Sequence, residues 1–136
     1  MRKHPLIFVV DDDAIILRII EAELKTIKMD VMSFHYGEEC MAELYLKPDL
    51  IILDYIFVKG STKVLSGLEI LREIRKLGDN VPVIILSGQE SGSAVLDLIK
   101  LGIEEYIIKE GNFTSKLKDV VINILENNNA EDQITD

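Results

Sequence analysis

The sequence has a single cysteine, Cys40, in 136 residues. An internal disulfide framework is therefore excluded, and the composition suits a reducing compartment. Long apolar runs are missing as well, since no stretch approaches the roughly 20 apolar residues of a membrane span. A secretory leader is not legible either. Met1 to Pro5 is basic, but the apolar run behind it stops abruptly at Asp11, Asp12 and Asp13. There is no basic excess: the formal net charge is −9, whereas a nucleic-acid-binding domain draws most of its affinity from Lys and Arg on phosphates. No G-x-x-x-x-G-K-[ST] occurs, which removes a P-loop nucleotide enzyme, and no repeat of solenoid period is found. The expectation is a soluble cytoplasmic protein with no membrane and no direct nucleic-acid contact.

What the chain does have is apolar material for one core. Hydrophobic residues make up 48% of it, and a domain of this size buries roughly two-thirds of its unfolded surface. A wholly disordered chain is thereby excluded. The runs LIFVV (6–10), LIIL (50–53) and PVIIL (82–86) are short and uninterrupted, the pattern of strands buried on both faces. Residues 30–35 and 105–108 are further, weaker strand candidates. Helical spacing fills the intervals, over 14–28, 37–46, 67–77, 93–101 and 114–126. In the first helix Ile16, Ile19, Ile20, Leu24 and Ile27 are expected to face inward. In the last, the inward set is Leu117, Val120, Val121, Ile124 and Leu125. Asp12 or Asp13 can cap the first helix, Pro48 and Asp49 break the second, and Gly102 closes the fourth. Strict alternation of strand and helix predicts an α/β domain over 1–126, a parallel sheet with helices on both faces. The acidic tail, 127–136, is expected to be disordered, and nothing is left to form an output module.

In doubly wound sheets the ligand site lies beyond the carboxyl ends of the strands. The polar residues expected there are Asp11, Asp12 and Asp13 after the first strand, Asp54 after the third, Ser87 after the fourth and Lys109 after the fifth. Any one has a bland reading: an Asp in that position is usually a helix cap, a Ser-Gly a turn, a Lys a surface charge. Together they are harder to dismiss, because clustered carboxylates repel and raise one another's pKa. Such a cluster calls for a cation. Carboxylates without His or Cys partners favour Mg²⁺, or Mn²⁺, over Zn²⁺. An ammonium and a hydroxyl opposite would suit a phosphoryl group. On these grounds Asp54 is either a nucleophile or a further metal ligand.

The runs LIFVVDDD, PDLIILD, PVIILSG and YIIK, in that order, resemble the response-regulator receiver domain from Pro5 to Glu126. GEE at Gly37 and GLEILREIR at Gly67 resemble that family's second and third helix starts. The resemblance implies a flavodoxin-like sheet of strand order 2-1-3-4-5. It implies that Asp54 accepts a phosphoryl group from a histidine kinase or histidine phosphotransfer protein. It further implies Mg²⁺ held by Asp12, by Asp11 through water, by Asp54 and by the backbone carbonyl of Ile56. Lys109 would contact a phosphoryl oxygen and Ser87 would turn its hydroxyl toward it. Tyr106 occupies the aromatic switch position, although a half-buried packing residue is the plainer reading. The face of the fourth helix, fifth strand and fifth helix would then select a downstream protein, as a monomer or through a weak dimer. Such a chain is not an enzyme in the ordinary sense, since it catalyses only its own phosphotransfer and dephosphorylation.

Three departures stand out. Tyr55-Ile56 replaces the usual Met-Pro, the loop from Asp54 to Gly67 is several residues longer with a tip at Lys59–Lys63, and Glu110 replaces the common proline after Lys109. The last makes a cis bond there costlier. The altered loop is the best support for the alternative reading, a protein-binding module with this fold that no longer uses phosphate, though no pocket acid is missing. A phosphatase of the haloacid dehalogenase type fits poorly, because Ile56 stands where its second acid belongs.

Overall fold

The structure, a computed structural model, describes residues 3–55, 66–88 and 92–134, without the side chains of 92–94 and 129–134. In chain order the elements are β1 (Leu6–Val10), α1 (Ala14–Lys25), β2 (Asp30–Phe34), α2 (Gly37–Ala42), a 3-10 turn (Leu44–Leu46), β3 (Leu50–Asp54), α3 (Gly67–Lys76), β4 (Val83–Ser87), α4 (Gly92–Lys100), β5 (Glu105–Ile108) and α5 (Phe113–Ile134). The strands form one parallel sheet of order β2-β1-β3-β4-β5. Sequence order reverses at β1 and β3, whose carboxyl ends carry Asp11 and Asp54. That is where such a sheet opens a ligand crevice.

The three uninterrupted apolar runs are the three strands buried at every residue, β1, β3 and β4. Their side chains alternate between two cores. Phe8, Val10, Ile51, Leu53, Val83 and Ile85 pack with Cys40 of α2, with Ile70, Leu71 and Ile74 of α3, and with Leu98 of α4. On the opposite face Ile7, Val9, Leu50, Ile52, Ile84 and Leu86 pack with Leu17, Ile20 and Leu24 of α1 and Leu117, Val121, Ile124 and Leu125 of α5. β2 lies at the sheet edge and is buried throughout only at Phe34, whose ring meets Phe8 edge-on at 5.0 Å.

Several boundaries differ from expectation. α1 ends at Lys25, and its buried stripe runs through Leu17 rather than Ile19, which is 43% exposed. Isoleucine at 15, 16, 19 and 20 offers apolar residues on more than one face, so the register with Leu24 decides. α2 stops at Ala42, and the chain passes through the 3-10 turn to Lys47 at φ 54°. The clash of Pro48 with its predecessor keeps Lys47 out of the right-handed helix. Gly102 has φ 79°, the left-handed conformation expected just past α4. α5 continues to Ile134 instead of ending at Glu126. The segment Asn-Asn-Asn-Ala-Glu-Asp-Gln holds neither Gly nor Pro, and nothing interrupts the backbone ladder. The Lys109–Glu110 peptide is trans. The loop tip at Lys59–Lys63 lies outside the described residues.

Candidate functional site

β1 ends in Val10 and hands on a carboxylate, Asp11, that is 1% exposed; β3 ends in another, Asp54, at 3%. Both are placed by neighbouring backbone. The Asp11 N–H donates to Phe34 O at 3.0 Å, which holds the chain to β2 one residue past the strand, and Tyr55 N–H donates to Leu86 O at 2.8 Å. Asp11 Oδ1 accepts from the Asp13 N–H at 2.9 Å. Asp13 itself is the N-cap of α1, accepting from Ile15 N–H at 2.8 Å and from Ile16 N–H at 3.4 Å. Of the three consecutive acids it is the one that caps α1, as its position before a helix suggested.

Lys109 leaves the end of β5 and inserts its ammonium between the two buried carboxylates. Nζ donates to Asp54 Oδ1 at 2.9 Å and to Asp11 Oδ2 at 3.1 Å. Its backbone N–H donates to Ser87 O at 2.7 Å, so the ends of β4 and β5 are fastened together at the site. Ser87 is buried, at 2% exposure. Tyr106 is half-buried and packs against the α2–α3–α4 core, the plainer of its two readings.

Burial is the first reason that the Asp54 pKa is pushed up to about 6, with the charge of Asp11 second; the hydrogen bond and charge of Lys109 pull the other way. Asp11 is raised for the same leading reason, partly offset by the Asp13 N–H and by Lys109. Clustering was expected to raise these values through repulsion, but loss of water does more. Burial alone would lower the Lys109 pKa, yet its bonds and charge contacts with Asp54 and Asp11 outweigh it, and the net shift is upward. One ammonium therefore balances two buried carboxylates.

Asp12 is exposed and completes the group. One carboxylate oxygen each from Asp11, Asp12 and Asp54 lies within 4.8 Å of the others, the one such group of potential metal ligands among the described residues. Three oxygens, no imidazole and no thiolate fit a hard divalent cation such as Mg²⁺ or Mn²⁺. The Ile56 carbonyl, the fourth ligand implied by the resemblance, lies outside the described residues. Sequence reasoning treated Gly67 only as a helix start. In the structure its N–H donates to Tyr55 O at 2.9 Å, directly beside the end of β3. A backbone approach of this kind has no signal in residue chemistry beyond the glycine itself.

The response regulator receiver domain profile matches residues 7–121. Probable transcriptional regulator ycf27 of Porphyridium aerugineum is 36% identical over 104 residues, covering 76% of this chain and 41% of its own length. The chain thus spans about two-fifths of the length of this relative. Among solved structures, the signal receiver domain of a Luxo-type repressor protein from Vibrio parahaemolyticus superposes with a TM-score of 0.85 at 25% identity, covering 96% of this chain and 97% of that one. The BeF3-activated receiver domain of DrrB, a Thermotoga maritima protein, gives 0.77 at 28% identity, covering 90% and 98%. The sheet order, the acids at its switch point and the span of the match agree, and the chain belongs to the response regulator receiver domain family.

Proposed function

We propose that this chain takes a phosphoryl group onto Asp54 from a phosphohistidine on a histidine kinase or phosphotransfer protein, with Mg²⁺ held beside it. The observation that carries this reading is the convergence of buried Asp54, buried Asp11 and exposed Asp12, with Lys109 Nζ 2.9 Å from Asp54 Oδ1. A carboxylate oxygen of Asp54 attacks phosphorus as the P–N bond breaks, and the bonding pair returns to the departing imidazole. Lys109 and the Ser87 hydroxyl then face the phosphoryl oxygens, where an ammonium and a donor offset charge. Asp12 and Asp54 directly, Asp11 through water, and the Ile56 carbonyl that the resemblance implies would hold Mg²⁺, which would offset the charge on the phosphoryl oxygens. The DrrB receiver, 28% identical, has a BeF3-activated form, which supports the reading because a tetrahedral beryllofluoride on a carboxylate resembles a phosphoryl group in shape and charge.

The chain catalyses only this transfer and the later hydrolysis, in which water takes the phosphoryl group as inorganic phosphate and frees the Asp54 carboxylate; the output is binding. Ser87 and Tyr106 would carry the change to the face of α4, β5 and α5, where a downstream protein docks. The test is intact mass after incubation with acetyl phosphate and Mg²⁺, wild type against Asp54→Asn. A phosphoryl-sized gain in the wild type alone is expected. Gain in both proteins, or in neither, with a kinase donor tried as well, would remove Asp54 as acceptor.

A further inference from the structure

We infer that Gly67 is a positioning residue for the acceptor: the bare backbone at the first residue of α3 sets where the Asp54–Tyr55 peptide, and with it the Asp54 carboxylate, can sit. A Cβ added to Gly67 would lie 2.4 Å from the carbonyl oxygen of Asp54 and 2.8 Å from Cα of Tyr55. Both neighbours are backbone, so no rotamer change relieves the overlap. Reaching an ordinary contact of 3.4 Å requires about 1 Å of displacement in one backbone or the other.

Both sides are braced. The start of α3 is held by a reciprocal cap, in which the Glu69 N–H donates to Ser66 Oγ at 3.2 Å and the Ser66 N–H donates to Glu69 Oε1 at 3.0 Å. On the other side Tyr55 is bonded to Leu86 O, and Gly67 N–H closes on Tyr55 O. The peptide after the acceptor is therefore gripped between β4 and α3. A shift there is passed to the 2.9 Å contact between Asp54 Oδ1 and Lys109 and to the spacing of Asp54 from Asp11 and Asp12. Reaction geometry is unforgiving at this scale, since about 1 Å of misplacement can cost 100-fold in rate.

Gly37 provides the control. It too opens a helix and is buried, but the three atoms nearest a Cβ there are Cδ1, Cγ1 and Cβ of the Ile70 side chain. Gly37→Ala presses on the end of a side chain of α3, which a rotamer change can relieve, and not on the backbone beside Asp54. This inference rests on the acceptor reading for its consequence in phosphotransfer, but its geometric content is read separately through metal binding.

The experiment compares wild type, Gly67→Ala and Gly37→Ala at a temperature where all three are folded by circular dichroism. Mg²⁺ affinity is measured by calorimetry and the acetyl phosphate labelling rate by intact mass. Gly67→Ala is expected to lose roughly tenfold or more in both, and Gly37→Ala to keep wild-type values despite a lower melting temperature. Equal losses in the two variants, or none in Gly67→Ala, would overturn the inference. If the wild type binds Mg²⁺ but is never labelled, the acceptor reading fails, while a weakened Mg²⁺ affinity in Gly67→Ala alone still establishes the positioning. Should Gly67→Ala not fold, amide exchange in the wild type decides: the Gly67 N–H is expected to exchange several-fold more slowly with Mg²⁺ and beryllofluoride present, and an unchanged rate overturns the inference.

Discussion

At the scale of single residues, the buried carboxylates cost the metal-free fold stability. The Asp54 pKa rises from 3.8 unfolded to about 6 folded. Between those values the folded chain keeps a proton that the unfolded chain has lost, so the contribution of Asp54 falls as pH rises through the window and stays low above it. Asp54→Asn removes that penalty. In EDTA at pH 7.5 the variant is expected to be more stable than wild type, by on the order of 1–3 kcal/mol, and the gap is expected to close below pH 4. Urea unfolding followed by circular dichroism checks this; a variant less stable at pH 7.5 would mean that Lys109 more than compensates the buried charge. Lys109 keeps Asp11 as a partner in either protein. Cys40 gives a second residue-scale test. It is fully buried in the core, and burial pushes its thiol up to about 12, so alkylation by iodoacetamide in the native state is expected to be far slower than in urea.

At the scale of elements, the sequence was readable where one cause acts alone. β1, β3 and β4 are buried on both faces and therefore appear as unbroken apolar runs. β2 has one neighbour and a mixed pattern, which is why it looked weaker. α5 runs past Glu126 because polar residues without Gly or Pro can carry a helix outward, and polarity alone marks no helix end. Asp11, Asp12, Asp54, Ser87 and Lys109 were legible because each stands at or within two residues of the carboxyl end of a strand. Gly67 and Arg75 were not, because both act on backbone. Arg75, near the end of α3, donates from Nε to Leu101 O at 2.9 Å and from its terminal nitrogens to Asp79 O, Val81 O and Gly102 O at 3.0, 2.9 and 3.3 Å. One guanidinium thus ties the turn after α3 to the end of α4. Arg75→Met keeps the stem and strands four acceptors, with an expected loss of roughly 2–4 kcal/mol. Amide exchange is expected to accelerate first at Gly102 and Glu104, whose N–H groups bond Ile99 O and Val83 O. Arg75→Lys is expected to restore only part, since one ammonium cannot span both segments.

At the scale of the whole molecule, these local terms make metal binding and folding one equilibrium. The fold assembles Asp11, Asp12 and Asp54 from the ends of two paired strands that α1, β2 and α2 separate in sequence, so the unfolded chain has no comparable site. A cation bound only by the folded chain stabilises it by about 2.7 kcal/mol at 100 times its dissociation constant. Protons compete for the same oxygens, so the Mg²⁺ increment has a predictable sign. Below about pH 6 Asp54 holds a proton in the metal-free fold, and each pH unit lower is expected to weaken Mg²⁺ affinity by roughly tenfold. Thermal unfolding at pH 5 and pH 7.5, with Mg²⁺ or with EDTA, is expected to show the larger increment at pH 7.5. Nonspecific screening of the −9 net charge would also stabilise the fold, but without dependence on one acid. Asp12→Ala separates the two effects, because removing the exposed acid barely changes the charge total while taking one oxygen from the cluster. An increment that is equal at both pH values and survives Asp12→Ala would assign the stabilisation to screening and remove these three aspartates as a metal site.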